Sequence, residues 1–146
     1  MDFICDMKKM KYATLVLAIA VSASALGAHA LKPYAEQGLV NIDSWHVAIA
    51  QHYYHGLAIL VLSAINLLFQ WNSRYMNIAT TLMYIGIAAF SGSVYLLSTQ
   101  KLMGVELSFL GPVTPIGGVC LIAGWIFAFL AIGQKASIEK QSVSES

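Results

Sequence analysis

The feature that most constrains this 146-residue chain is a set of four apolar runs without any Asp, Glu, Lys or Arg: residues 12–30, 47–69, 78–97 and 116–132. About 20 residues of α-helix cross the hydrocarbon core of a bilayer. Because lipid offers the backbone no hydrogen-bond partners, each run must satisfy its own amides by forming a helix. The predicted helices cover about residues 12–31, 45–71, 75–99 and 114–133. We therefore expect an all-α, integral membrane four-helix bundle.

The low charge of the chain supports this interpretation. Charged residues make up 10% of the sequence, against roughly 25% in a typical soluble domain. The net charge is +1 and the eight Lys and Arg residues form no basic stripe, so nucleic acid is not an expected partner. The sequence also lacks the common nucleotide-binding and hydrolase motifs. The first predicted partner is the lipid bilayer, and no enzymatic activity is predicted.

The positive charges predict how the bundle is oriented. With four helices, one side of the membrane collects six cations: Lys8, Lys9, Lys11, Arg74, Lys135 and Lys140. The other side has Lys32 and Lys101. Since cytoplasmic segments carry the excess of Lys and Arg, both termini are predicted to be cytoplasmic. The expected organisation in a bacterial inner membrane is a cytoplasmic segment 1–11, a single transmembrane domain 12–133 and a polar cytoplasmic tail 134–146.

Two tryptophans bracket the second apolar run. Trp45 and Trp71 lie 26 residues apart, roughly 39 Å along a helix axis, which matches the bilayer with its headgroups. Tryptophan prefers the membrane–water interface, so both residues are expected there. Asp43 or Ser44 is expected to cap the second helix.

Polar residues inside the predicted spans concentrate in the outer half of the bundle. Helical spacing places His52, Ser63 and Asn66 on one stripe of the second helix. One face of the third helix is predicted to carry Asn77, Thr81, Tyr84, Ala88, Ser91, Tyr95 and Ser98. The candidate binding residues are His29, His52, His55, Ser91, Ser93, Tyr95 and Thr114.

Three interpretations of these polar residues stay open. They are hydrogen-bonded packing contacts, a proton-linked or ligand-binding site, or a metal or haem site. A metal needs three or four ligands, and no carboxylate is expected inside the bundle. We therefore predict no metal ligands and no cofactor.

The stretch around His29 is ambiguous. Ala28-His29-Ala30 follows an apolar run and a lysine-rich start, which is typical of a signal-peptidase site. The run has 19 residues, longer than the usual 7–15-residue core of a signal peptide and long enough to span. Composition alone leaves cleavage and retention open.

Four residue strings suggest a family: "LGAHALK" at 26–32, "YHGLAIL" at 54–60, "FSGSVYLL" at 90–97 and "VTPIGGVCLIAGW" at 113–125. Together they resemble the domain-of-unknown-function 423 family, whose members are small four-helix membrane proteins also called transmembrane protein 256-like. The match runs through all four apolar runs in order. There are two departures: Gln51-His52, where family members often have Tyr-Gln, and Ser24, where a glycine is common in helix one.

The resemblance assigns motif positions in every helix. It implies that Gly27, Ala28 and His29 form a G-A-H motif within the fold, which favours retention of the first helix. It implies that His55 is the histidine of the second helix. The remaining motif positions would be Ser91, Gly92, Ser93, Tyr95, Thr114, Pro115, Gly117 and Gly118. The family brings no established activity with it.

The function that we predict is that of a non-enzymatic accessory or assembly protein, acting with a membrane-protein partner or as a homo-oligomer. The first alternative is a small-molecule or proton-linked binding or transport module with a polar pocket in the outer half. The second alternative is a haem- or metal-binding membrane protein.

Overall fold

The chain folds into a bundle of four long helices with short helices in its connections. The computed structural model describes residues 2–71 and 73–144, with side chains at 4–71 and 74–132. The elements are α1 (Asp2–His29), α2 (Lys32–Glu36), α3 (Ile42–Phe69), α4 (Ser73–Gly86), a π-helical turn (Ile87–Ser91), α5 (Gly92–Met103), a 3₁₀ turn (Ser108–Leu110) and α6 (Val113–Ser144).

Within the described residues, four segments are long and apolar enough to cross a membrane: Ile4–His29, Ile42–Phe69, Arg74–Met103 and Ser108–Ile132. The third of them is continuous through α4, the π turn and α5. The predicted all-α membrane bundle is therefore confirmed. We call the end that carries α2 and the α5–α6 connection the loop end, and the opposite end the N-terminal end.

Several helix ends differ from the sequence prediction. α1 begins at Asp2 rather than near residue 12, so the predicted cytoplasmic segment is helical and continues the span. α3 is capped by Asn41, whose side chain accepts a hydrogen bond from the Ser44 amide at 3.0 Å, and not by Asp43 or Ser44. α6 continues to Ser144 rather than ending near residue 133. The last two residues of the predicted tail lie outside the described part of the chain.

The bundle is built from two helix pairs. α1 packs along α3, and α4 packs along α6, while the π turn touches both α3 and α6. One buried cluster lies at mid-height between the pairs: Ala13, Ile59, Met83, Ile87 and Leu121. A second lies at the loop end: Leu31, Val40, Trp45 and Ile49. Large apolar side chains on the outer faces of all four helices are exposed, as expected for surfaces that meet lipid.

The π turn changes which residues of the third span face inward. A π turn adds one residue to a helical turn, so the buried face rotates as the chain passes through it. Thr81 and Ala88 are exposed, whereas Thr80 and Ile87 are buried. The single face predicted for this span is therefore wrong at Thr81 and Ala88.

Gly117 holds α6 against this turn. A Cβ at Gly117 would collide with the Phe90 amide and lie 2.9 Å from the Ala89 carbonyl carbon. Small residues allow membrane helices to approach this closely. Glycine at this position therefore sets the distance between α6 and the third span.

Candidate functional site

His52 and Tyr95 meet near the loop end. His52 Nδ1 lies 3.3 Å from the Tyr95 hydroxyl, and the His52 ring also interacts with the backbone of Val16 on α1. Tyr95 packs against Trp45 with a ring-centroid distance of 4.6 Å. His52 therefore connects three helices.

His55 uses both of its ring nitrogens within the bundle. Nδ1 lies 2.9 Å from the carbonyl oxygen of Gln51, and Nε2 lies 3.1 Å from Trp125 Nε1. An indole N–H can only donate, so Nε2 is the acceptor and Nδ1 carries the proton that the carbonyl accepts. This geometry assigns a neutral imidazole with no free lone pair for a metal ion.

The motif hydroxyls bond across helices as well. Ser91 Oγ donates to the Ala48 carbonyl on α3 at 2.9 Å. Ser93 Oγ donates to the Phe90 carbonyl at 3.0 Å and lies 2.6 Å from Thr114 Oγ1. Ser91 thus ties the third span to α3, and Ser93 ties it to α6.

The G-A-H string at the end of α1 has a packing role at its glycine. A Cβ at Gly27 would lie 2.6 Å from Trp45 Nε1, and this indole nitrogen donates to the Ala23 carbonyl at 3.0 Å. Trp45 is 6% exposed, so its ring points into the bundle, in the first turn of α3; its position at the membrane interface stays a prediction. His29 is exposed at the end of α1.

Four of the seven predicted binding residues therefore form two pairs. His52 is joined to Tyr95, Ser93 is joined to Thr114, and His55 and Ser91 bond to groups that were not among the candidates. Their hydrogen-bonding atoms are aimed at protein atoms rather than at a shared cavity. Thr114 also lines a cavity of about 300 Å³ with Asn41, Ser44, Val94, Leu97 and Ser98.

A polar cluster at the N-terminal end was not predicted. Asp6 Oδ1 lies 2.6 Å from Lys9 Nζ, and Asp6 Oδ2 accepts a hydrogen bond from Asn66 Nδ2 at 2.6 Å. Lys9 Nζ also donates to Asn77 Oδ1. We call these four residues the Asp6 cluster. The side chain of Asp6 is 3% exposed, so the expectation that no carboxylate lies inside the bundle is wrong.

Neighbouring groups fix the Asp6 cluster to the surrounding helices. The Tyr84 hydroxyl donates to the Lys9 carbonyl at 2.7 Å, and Cys5 Sγ lies 3.8 Å from Asn77 Oδ1. The sequence carried a partial signal, since Asn66 lies on the inward stripe predicted for the second helix. The prediction failed because the segment with Asp6 and Lys9 was assigned to the cytoplasm from its lysines.

One oxygen of the Asp6 cluster and one oxygen next to it along α3 have no partner. Among the described side chains, Ser63 Oγ and Asn66 Oδ1 are buried atoms without a hydrogen-bond partner. Ser63 is 0% and Asn66 is 4% exposed. Buried polar atoms are nearly always bonded, so this pair sets the N-terminal end apart from the loop end.

A separate cavity of about 500 Å³ lies beside α2. Its lining is Gly27, Ala28, Lys32, Ala35, Glu36, Ile42 and His46. The part of the chain that the structure describes contains no group of three or more His, Cys, Asp and Glu side chains placed to hold a metal ion.

Comparison with known proteins gives one consistent result. Residues 23–118 match the profile of a family described as "Protein of unknown function (DUF423)". A UPF0382 membrane protein of Staphylococcus aureus is 36% identical over 113 residues, which cover 77% of this chain and 84% of that protein. The UPF0382 membrane protein YwdK of Bacillus subtilis is 35% identical over 115 residues, covering 77% and 85%. No solved structure gives a significant match.

Proposed function

The chain belongs to the DUF423 family of membrane proteins, and from that premise we propose that it is a non-enzymatic accessory or assembly protein of the bacterial inner membrane. The observation that carries the proposal is the hydrogen bonding of the motif residues. His55, Ser91 and Ser93 all bond to groups on other turns or helices of the same bundle.

Such an arrangement favours a scaffold over an enzyme. Catalysis needs a nucleophile or base that can reach a substrate, and His55 has both nitrogens bonded within the bundle. A ligand pocket made from the same groups has less support, because a ligand would have to displace these bonds. A haem or metal at His55 would have to displace the Trp125 indole.

The proposed orientation places both termini in the cytoplasm. It rests on the excess of Lys and Arg at the N-terminal end of the bundle. Among those side chains that the structure describes, Lys8, Lys11 and Arg74 are exposed at this end, where they can meet anionic headgroups. The orientation is tested by labelling introduced cysteines on intact cells with a reagent that does not cross the membrane. The variants are Lys8→Cys and Glu106→Cys. Labelling at position 106 alone is the expected outcome, and labelling at position 8 alone contradicts it.

We further propose that α1 is retained in the mature protein. Asp6 bonds to Asn66, the Lys9 carbonyl accepts from Tyr84, and the Ala23 carbonyl accepts from Trp45. Cleavage after Ala30 would remove all three contacts and expose the inner face of α3 to lipid. Intact mass of the protein purified from membranes is expected to include α1, and a chain that begins at Leu31 contradicts retention.

The accessory role is tested by native co-purification. The full chain, tagged at its C-terminus, is extracted in a mild detergent and its associated proteins are identified by mass spectrometry, with an unrelated four-span protein as control. We expect a second membrane protein, or further copies of this chain, in comparable amounts. A monomer without any associated protein, in membranes cross-linked before extraction as well, contradicts the proposal.

A further inference from the structure

The Asp6 cluster holds more oxygen acceptors than its own donors use. Lys9 Nζ reaches Asp6 Oδ1 and Asn77 Oδ1, and Asn66 Nδ2 reaches Asp6 Oδ2. Asn66 Oδ1 then has no donor, and neither does Ser63 Oγ, one turn earlier on the same face of α3. A buried polar atom without a partner destabilises a protein. A positively charged or hydrogen-bond-donating group next to α3 would therefore satisfy these two oxygens.

Lys9 is held less deeply than the carboxylate that it neutralises. Its side chain is 12% exposed, against 3% for Asp6. A lysine near the end of a membrane helix can extend its stem and place the ammonium in the headgroup layer. Asp6 has no such freedom, because its short side chain is buried and bonded to α3. The ammonium can leave the cluster, whereas the carboxylate cannot.

We propose that the Asp6 cluster binds a monovalent alkali-metal cation, which replaces the Lys9 ammonium as the charge partner of Asp6. When Lys9 swings out, it frees the carboxylate of Asp6 and the amide oxygen of Asn77. Asn66 Oδ1 and Ser63 Oγ do not contact the ammonium and have no other partner, so the proposed ion would lie closer to α3 than the ammonium does. Hard cations are bound by oxygens of these types.

The charge of the cluster selects a single positive charge. Asp6 is its one carboxylate, and the ion pair with Lys9 shows that one positive charge balances it. The nearby cations Lys8, Lys11 and Arg74 are exposed and do not enter the cluster. Calcium and magnesium need more anionic or more regular oxygen shells. The bound ion and the Lys9 ammonium would then compete for the same oxygens.

The test measures thermal unfolding of the full chain in lipid nanodiscs. The unfolding temperature is followed in sodium, potassium or choline chloride at constant ionic strength, since a ligand of the folded state stabilises it. We expect sodium or potassium to raise the unfolding temperature above that in choline, and Asp6→Asn to abolish this increment. If the ammonium fills the site for about nine-tenths of the time, Lys9→Met should lower the half-maximal cation concentration about tenfold.

Matched variants separate binding from general damage. Lys8→Met removes an exposed lysine next to Lys9 and should leave the cation dependence unchanged. Ser63→Ala removes a hydroxyl that has no partner, so the unfolding temperature in choline should stay the same or rise. In sodium or potassium the same variant should lose part of its increment. Ser63→Ala also keeps the test decisive if Lys9→Met does not fold.

Three results would overturn the proposal. The first is an unfolding temperature that is the same in sodium, potassium and choline for both the wild type and the Ser63→Ala variant, which would leave a water molecule as the occupant. The second is a full increment in Asp6→Asn. The third is an unfolding temperature that rises in magnesium or calcium chloride, measured in the same assay, but not in sodium or potassium chloride.

Discussion

The two ends of this bundle differ in how fully their polar groups are hydrogen-bonded. At the loop end, His55 has both ring nitrogens bonded, and Ser91 and Ser93 bond to neighbouring spans. At the N-terminal end, a buried ion pair between Asp6 and Lys9 lies beside two oxygens without partners. Neutral groups that satisfy each other hold helices together. A buried charged cluster with unsatisfied oxygens lowers stability, so a functional role is the better explanation for it.

The largest effect is expected from Asp6→Ala, which tests whether the N-terminal end depends on a buried charge. Removing one partner of a buried ion pair costs about 3–5 kcal/mol. Since Lys9 can extend toward the headgroups, we expect about 3 kcal/mol, at the lower end of that range. The measurement is the free energy of unfolding in detergent, followed by steric trapping or SDS titration.

Two controls accompany this variant. Glu36→Ala removes a carboxylate that is exposed at the end of α2, and its effect should stay within about 0.5 kcal/mol. Adding Lys9→Met to Asp6→Ala should recover part of the loss, because no unpaired charge is left. Equal effects of Asp6→Ala and Glu36→Ala would refute the contrast between the two ends.

A medium effect is expected from Gly117→Ala, which tests whether packing positions the polar groups of the loop end. The new Cβ would meet the backbone of Ala89 and Phe90, and neither can move aside as a side chain would. We expect a loss of about 1–3 kcal/mol from overpacking. Gly92→Ala is the matched control, because a Cβ there meets nothing within 4 Å and alanine favours a helix by about 0.5–1 kcal/mol. Equal stability of the two variants contradicts the prediction.

The sequence predicted the spans well because hydropathy is a sum over many residues and tolerates local errors. It also predicted the inward stripe of α3, where His52, Ser63 and Asn66 are all buried. It did not show how Trp45 packs, because the ring fills a space opened at Gly27 on another helix. Such a complementary space depends on how two helices are rotated against each other, and the residues of one helix alone do not show this.

The Asp6 cluster and the π turn were missed for related reasons. A charge near the start of a membrane helix is ordinarily a cytoplasmic signal, and only the partners on α3 and α4 make Asp6 an interior residue. The π turn adds one residue to a single helical turn. The buried face therefore shifts, and Thr81 and Ala88 are exposed although the sequence predicted them on the inward face. For the candidate site, the sequence supplied the residue types but not their bonding partners. Whether a histidine is free or fully bonded is decided by those partners, as Trp125 decides it for His55.

The smallest effect is expected from Trp125→Phe, which tests the claim that the polar groups of the loop end are neutral and mutually satisfied. The variant removes the donor to His55 Nε2 and keeps most of the apolar ring on a residue that is 48% exposed. Losing one neutral hydrogen bond costs about 1 kcal/mol, well below the value for Asp6→Ala. The His55 nitrogens, followed by ¹⁵N NMR, should shift on loss of the indole, while Nδ1 keeps its proton and its bond to Gln51. Trp71→Phe, where the ring stacks on Phe69 at 6.0 Å, should leave the His55 signals unchanged. A cost for Trp125→Phe as large as that of Asp6→Ala would mean that the loop end, too, depends on a costly buried group.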